Sequence, residues 1–277
     1  MHKNIMSDYP ISMQNKNKIQ MQLWWITACL IAINVGLFAW QVIQGMDVTQ
    51  PSSMDAIRWG ADYAPITFLA EPIRLFTSMF FHFGLIHLML NMWALYIFGN
   101  VAEQLFGRLY FFGLYLLAGL MGSLLSGYIS IQDTYELIKL GEPKQDLYPG
   151  VGAGASGAVM GLGAALTMLS ILPQLKNQLF ILDKKTLIMV LGINLAMGFM
   201  ISGINNAAHI GGMIMGAALA LIWYIGQKIN QSTIFNIAGL IIGIASCYFF
   251  YQYCLSLVTY IAPLWQQFSQ QILSELA

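Results

Sequence analysis

Three short patches of this sequence carry side chains able to act together on a carbonyl group. They are Gly154-Ala155-Ser156-Gly157, the run Ala208-His209-Ile210-Gly211-Gly212 ending at Gly216, and His87-Leu88-Met89-Leu90-Asn91. A serine hydroxyl is a poor nucleophile until a positioned base takes its proton, and histidine is the usual base. His87 and Asn91 are spaced i, i+4, so they share one helix face. Both can donate hydrogen bonds to a developing oxyanion, where one donor is commonly worth about 3–4 kcal/mol. Taken singly, each patch has a plainer reading. Ser156 fits a stripe of small residues (Gly154, Gly157, Gly161, Ala165) that lets helix backbones approach. His209, or the His87/Asn91 pair, could simply bond to neighbouring helices. Ala158 rules out the G-x-S-x-G elbow of the α/β-hydrolases.

The elements that must hold these groups are membrane helices. Of 277 residues, 58% are hydrophobic and only 9% charged, against roughly 25% charged in soluble domains. Mean hydropathy is +0.66. A soluble enzyme and a disordered chain are both excluded. Seven apolar runs approach the roughly 20 residues that a bilayer core requires: Trp24–Ile43, Gly84–Leu105, Leu109–Ser130, Ala155–Leu172, Thr186–Ser202, Ala208–Ile229 and Ile234–Val258. Backbone polar groups in lipid must pair within their own segment, so the runs are helices. The expected class is an all-α polytopic membrane protein. The first run follows Lys3, Lys16 and Lys18 and has no clear small-x-small cleavage site, so it reads as an uncleaved span.

An inside N-terminus puts Lys3, Lys16, Lys18, Arg108, Lys176, Lys184, Lys185 and Lys228 in the cytoplasm. It leaves only Arg58, Arg74, Lys139 and Lys144 outside. That asymmetry favours the N-terminus cytoplasmic and, after seven spans, the C-terminus outside. Spans two, four and six then run in the same direction, and His87, Ser156 and His209 lie near one outer depth. Three polar sites at one depth on three helices are poorly explained by independent packing. No Asp falls within a run, and the only Glu there is Glu103, near a cytoplasmic end. Ionisable groups inside spans are costly and are functional candidates by default. With no acid to orient His209, the expected arrangement is a Ser–His dyad rather than a triad.

Two outer segments are long. Residues 45–83 carry Trp59, Tyr63, Phe68, Ile73, Phe76, Met79 and Phe80, too apolar for a solvated loop, and read as half-sunk interfacial pieces. Residues 131–151 read as a charged, polar loop. Cys29, Cys247 and Cys254 lie in apolar runs and suggest neither a disulfide framework nor a metal cluster. H-E-x-x-H is absent, so no metal and no cofactor are expected. Lys+Arg 12 balances Asp+Glu 12, which leaves no basic excess for nucleic acid.

At these residues the chain resembles the rhomboid family of intramembrane serine proteases, over roughly residues 24–229. The resemblance rests on the G-x-S-G motif of Gly154–Gly157, the Ala208-His209-x-x-Gly212-x-x-x-Gly216 motif and His87-x-x-x-Asn91. Phe81 to His87 looks like the family's entrance to its second helix, and Glu103 and Gly107-Arg108 like that helix's end. The resemblance implies Ser156 as nucleophile and His209 as base. It implies an oxyanion hole of His87, Asn91 and the Ser156 backbone N–H. The implied partners are the lipid bilayer and membrane proteins with a transmembrane helix, cut in or near that helix. The implied layout is a cytoplasmic tail over residues 1–23, a six-span core over 24–230, and a seventh span with an outer tail over 231–277. The expected location is a bacterial inner membrane; the oligomeric state stays open. Four positions depart from the family pattern: Ile73-Arg74 for Trp-Arg, Met160 for a Tyr beneath the histidine, Asn205 for an acidic residue, and the length of the 131–151 loop. Two rival readings are an inactive relative that binds membrane helices, and a transporter. For a transporter, the polar groups define no path across the membrane.

Overall fold

The computed structural model describes residues 24–175, 183–200 and 205–276. The tail over 1–23, with Lys3, Lys16 and Lys18, lies outside the described residues, as do Lys176 and Ser202. Among the described residues, ten α-helices follow in order: α1 Trp25–Ile43, α2 Ser53–Arg58, α3 Ala64–Leu69, α4 Arg74–Thr77, α5 Leu85–Phe106, α6 Arg108–Leu140, α7 Ser156–Ile171, α8 Lys184–Met200, α9 Asn206–Lys228 and α10 Ser232–Leu276. Two two-residue strands, β1 (Asp62–Tyr63) and β2 (Val151–Gly152), pair antiparallel. Among the described helices, α1, α5, α6, α9 and α10 are long and apolar enough to cross a membrane, and α7 is a shorter apolar helix. The chain is an all-α polytopic membrane protein.

α7 lies at the centre of the bundle. Every residue from Gly157 to Leu166 is buried, enclosed by α5, α6, α8 and α9. At 1.5 Å per residue, its 16 residues span about 24 Å, less than the roughly 30 Å hydrocarbon core. α1 is the opposite case. Only Thr27, Leu30, Asn34, Phe38 and Gln41 are buried, a single stripe at helical spacing. Glu103 ties the start of α1 to α5. Its carboxylate accepts from the Ile26 N–H at 3.1 Å, and from the Thr27 N–H and hydroxyl, each at 2.8 Å. A carboxylate there satisfies N–H groups that a helix start leaves without intrahelical partners.

The expected helix limits hold to within two residues for four of the seven runs and fail for α6 and α10; the start of the Thr186–Ser202 run holds, and its end lies outside the described residues. Residues 131–140 are not loop: α6 continues through Leu140. The C-terminal tail is likewise helical, and α10 reaches Leu276 with Pro263 inside it. The two extensions bury stripes that a hydropathy window averages away: Ile131, Thr134 and Leu137 on α6, and Val258, Ile261, Trp265 and Ser269 on α10. They meet directly. Trp265 Nε1 donates to Thr134 Oγ1 at 3.0 Å, and the Tyr135 hydroxyl donates to the Leu257 carbonyl at 2.7 Å. The charges that suggested a loop, Glu136 and Lys139, occupy the exposed face and pair with each other at 3.4 Å.

Residues 45–83 form a folded unit. α2 opens with a reciprocal capping box between Ser52 and Asp55. Arg74 is buried and holds the unit together, donating to the carbonyls of Ile57 at 2.6 Å and Ala61 at 3.0 Å and pairing with Glu71 at 2.9 Å. The Asp62 carboxylate is buried and accepts from the Thr67 hydroxyl at 2.7 Å. Burial pushes this carboxyl up to about 6, outweighing the opposite pulls of Thr67 and Arg74. Ile272 and Leu276 of α10 pack on the cluster Ile57, Tyr63 and Ile66. Ile73 and Phe76 remain exposed.

Two outcomes follow from this packing. Trp265 is completely buried, so Trp265→Ala should cost about 3–5 kcal/mol, read as a large fall in Tm in detergent; a solvated tail would give no change. For Asp62, the unfolded carboxyl titrates near its ordinary 3.8 and the folded one near 6. Between those values the folded state binds more protons, so this group's contribution to stability falls as pH rises. Asp62→Asn should abolish that part of the slope. The Tm of the variant relative to wild type should climb through the window and level off above pH 6.

Candidate active site

Ser156 is the first residue of α7, at the end of the helix where unpaired N–H groups and the positive end of the dipole gather. The segment leading to it is fixed on several sides. β2 pairs with β1, matching Gly152 with Asp62 and Val151 with Tyr63. The Gly154 N–H donates to the Ser78 carbonyl at 2.9 Å, and the Ser78 hydroxyl lies 3.4 Å from that of Ser123 on α6. Gly154 has φ +121°, and a Cβ there would stand 3.0 Å from His87 Nε2 and 2.8 Å from His87 Cε1. Glycine is required both for the backbone angle and for the approach of the ring. Ser156 itself is half-buried.

The two glycine-bearing motifs touch along α7 and α9. A methyl group built at Gly212 would overlap the Gly157 carbonyl, and one at Gly216 would overlap the Gly161 carbonyl. Gly157 in turn faces the Ala208 carbonyl, with a built Cβ 3.2 Å away. Ser156 and His209 are therefore the residues adjoining a direct backbone contact. His209 is buried and, among the described residues, its Nδ1 has no hydrogen-bond partner.

His87 sits in the first turn of α5. Its Nδ1 accepts from the Phe83 N–H at 3.2 Å. An accepting ring nitrogen carries no proton, so in the neutral ring the N–H is at Nε2. That is the nitrogen beside Gly154. The Phe83 ring stacks on His87 with 12° between planes, and His82 meets it edge-on at 5.3 Å. Asn91 is buried, and its Nδ2 donates back to the His87 carbonyl at 3.0 Å. The amide nitrogen retains a second hydrogen.

Other residues at the site gave little signal. Ser78, Ser123 and Ser126 are ordinary serines in sequence and become partners only through packing. Asn205 departs from the family pattern, and its job is visible here: it caps α9, its Oδ1 accepting from the Ala208 N–H at 3.0 Å. Met160 belongs to an apolar cluster with Ala164 and Leu191, against which Met213 packs. No polar support for His209 comes from that position.

The Rhomboid domain of known families matches residues 69–226. A rhomboid protease of Providencia stuartii, AarA, is 26% identical over 76% of this chain and 77% of its own length. RHOMBOID-like protein 1 of Arabidopsis thaliana is 33% identical over 72% of this chain and 47% of its own length. The rhomboid protease GluP of Bacillus subtilis (strain 168) is 31% identical over 70% of this chain, which spans 34% of that relative. The matched span runs from the end of α3 through all three polar patches into the last turn of α9, and the chain belongs to the rhomboid family.

Proposed function

We propose that this chain is an intramembrane serine endopeptidase that cleaves membrane proteins in or near a transmembrane helix. Ser156 Oγ attacks the scissile carbonyl. His209 takes its proton and returns it to the leaving amine, and water then releases the acyl-enzyme. The Ser156 N–H, His87 Nε2–H and the remaining Asn91 N–H receive the oxyanion. A helical substrate must unwind locally, because its carbonyls are occupied by its own hydrogen bonds. The observation that carries this reading is the convergence at one end of the bundle. The first N–H groups of α7, a proton-bearing Nε2 of His87 and the helix of His209 meet there around a backbone-to-backbone contact. The relatives AarA and GluP, both rhomboid proteases, point the same way.

In this reading residues 1–23 are cytoplasmic, 24–230 form the six-span core, and 231–277 hold the seventh span, with its C-terminal end outside. A bacterial inner membrane is the setting proposed. The support for the orientation is the eight-to-four distribution of basic residues.

Ser156→Ala and His209→Ala should each abolish cleavage of a transmembrane substrate while leaving Tm close to wild type. Proteolysis by purified Ser156→Ala at the wild-type rate would overturn the assignment. His87→Ala and Asn91→Ala should lower kcat by roughly 10²–10³ with little change in KM. If they serve only as links between helices, each would instead cost about 0.6–2 kcal/mol of stability with normal turnover. Thermal unfolding and kinetics measured on the same preparations separate the two.

A further inference from the structure

Nothing among the described residues bonds to His209 Nδ1, so the placement of this imidazole depends on where its helix starts. The packing of α9 against α7 and α6 explains its closeness but not its axial position. Gly122 on α6 lies under the Ala208 carbonyl, with a built Cβ 2.6 Å away, and Gly211 lies under the Met121 carbonyl at the same distance. One turn along, Gly212 lies 3.3 Å from the Ala118 carbonyl by the same measure. Contacts of this kind are smooth. Glycine faces permit close approach, but they offer no directional bond against sliding by a fraction of a turn.

Farther along α9 the Tyr110 hydroxyl of α6 supplies such a bond, donating to the Leu219 carbonyl at 2.7 Å; at the His209 end, among the described residues, the side chain that bonds to α6 is that of Asn205. Asn205 stands immediately before α9, in extended conformation with φ −89° and ψ 90°. Its Oδ1 caps the Ala208 N–H, its backbone carbonyl accepts from the His209 N–H at 3.2 Å, and its Nδ2 donates to Ser126 Oγ on α6. Ser126 lies one turn beyond Gly122 and on the same face, where the antiparallel course of α6 and α9 puts it opposite Asn205. The same amide nitrogen faces β2, for a Cβ built at Gly152 would stand 3.3 Å from it. The start of the His209 helix, the wall of α6 and the strand leading to Ser156 thus meet at one amide.

We propose that Asn205 is a positioning residue for His209, holding the start of α9 in axial register through Ser126 so that the imidazole reaches Ser156. This rests on the protease reading above. An error of about 1 Å in a catalytic group can cost up to 10²-fold in rate, whereas loss of a cap by itself affects mainly stability. A carboxylate could serve the same position, because it would cap the helix equally and accept a hydrogen bond from the Ser126 hydroxyl.

The test uses the full chain in detergent and a fluorophosphonate carrying a fluorophore. Its saturation kinetics separate binding from the rate of serine modification without needing the natural substrate. Asn205→Ala should slow the modification step by roughly 10-fold or more with little change in probe binding, and Asn205→Asp should restore it. Ser126→Ala leaves the cap intact and should slow the step less. The double variant Asn205→Ala/Ser126→Ala should be no slower than Asn205→Ala, because both act through one bond. Wild-type labelling together with an unchanged rate in Asn205→Ala, or failure of Asn205→Asp to restore it, overturns the positioning role alone. A wild-type protein that is not labelled at Ser156 overturns the protease reading, and this proposal with it.

Discussion

The contact on which the rest of the molecule depends is the one between the backbones of α7 and α9. Gly212 and Gly216 lie against the carbonyls of Gly157 and Gly161, and no side chain fits between. In lipid there is little hydrophobic drive for helices to associate, so close van der Waals contact must supply it. The same contact brings the two candidate motifs together, since Ser156 and His209 are each next in sequence to a contact residue. α6 completes the arrangement through Gly122 and Gly211, so that three helices share one closely packed seam. Each glycine here is needed for the absence of a side chain; only Gly154, at φ +121°, is also needed for its backbone freedom.

Around that seam the protein uses polar groups as fasteners at helix ends. Glu103 closes the start of α1, Asn205 the start of α9, and Arg74 gathers the carbonyls of the segment before α5. These groups are buried or half-buried, and each satisfies backbone groups that would otherwise be costly to leave unpaired. The polar stripe Thr27, Asn34 and Gln41 on α1 is a different case. Thr27 is bonded to Glu103, but Asn34 Oδ1 and Gln41 Oε1 have no partner among the described residues.

Much of the candidate site was legible in the sequence because the residue types it is built from are rare in apolar runs. Ser156, His209, His87 and Asn91 stood out for that reason, and helical spacing was enough to group them. The limits of most spans were legible because hydropathy reports contact with lipid. It does not report contact with protein, and for that reason α6 and α10 were cut short: their extensions bury one residue in three or four against each other. The β1–β2 pairing was not legible, because two-residue strands have no period to detect. The serines that hold the Ser156 segment were equally hidden, since a serine has no distinguishing signal until its partner is known. Asn91 was expected as a donor toward substrate or as a link to a neighbouring helix, and its bond back to the His87 carbonyl lies instead within its own helix, which it steadies.

The long reach of α10 also orders the assembly of the protein in time. Ile57, Tyr63 and Ile66, early in the chain, are covered by Ile272 and Leu276 at the end of α10. During synthesis the segment before α5 must therefore wait, its apolar face uncovered, until α10 has been made and has crossed. β1 belongs to that segment and pairs with the strand leading to Ser156. The surroundings of Ser156 are thus completed only when the last described helix docks, and a nascent chain carrying Ser156 and His209 does not yet hold the finished arrangement.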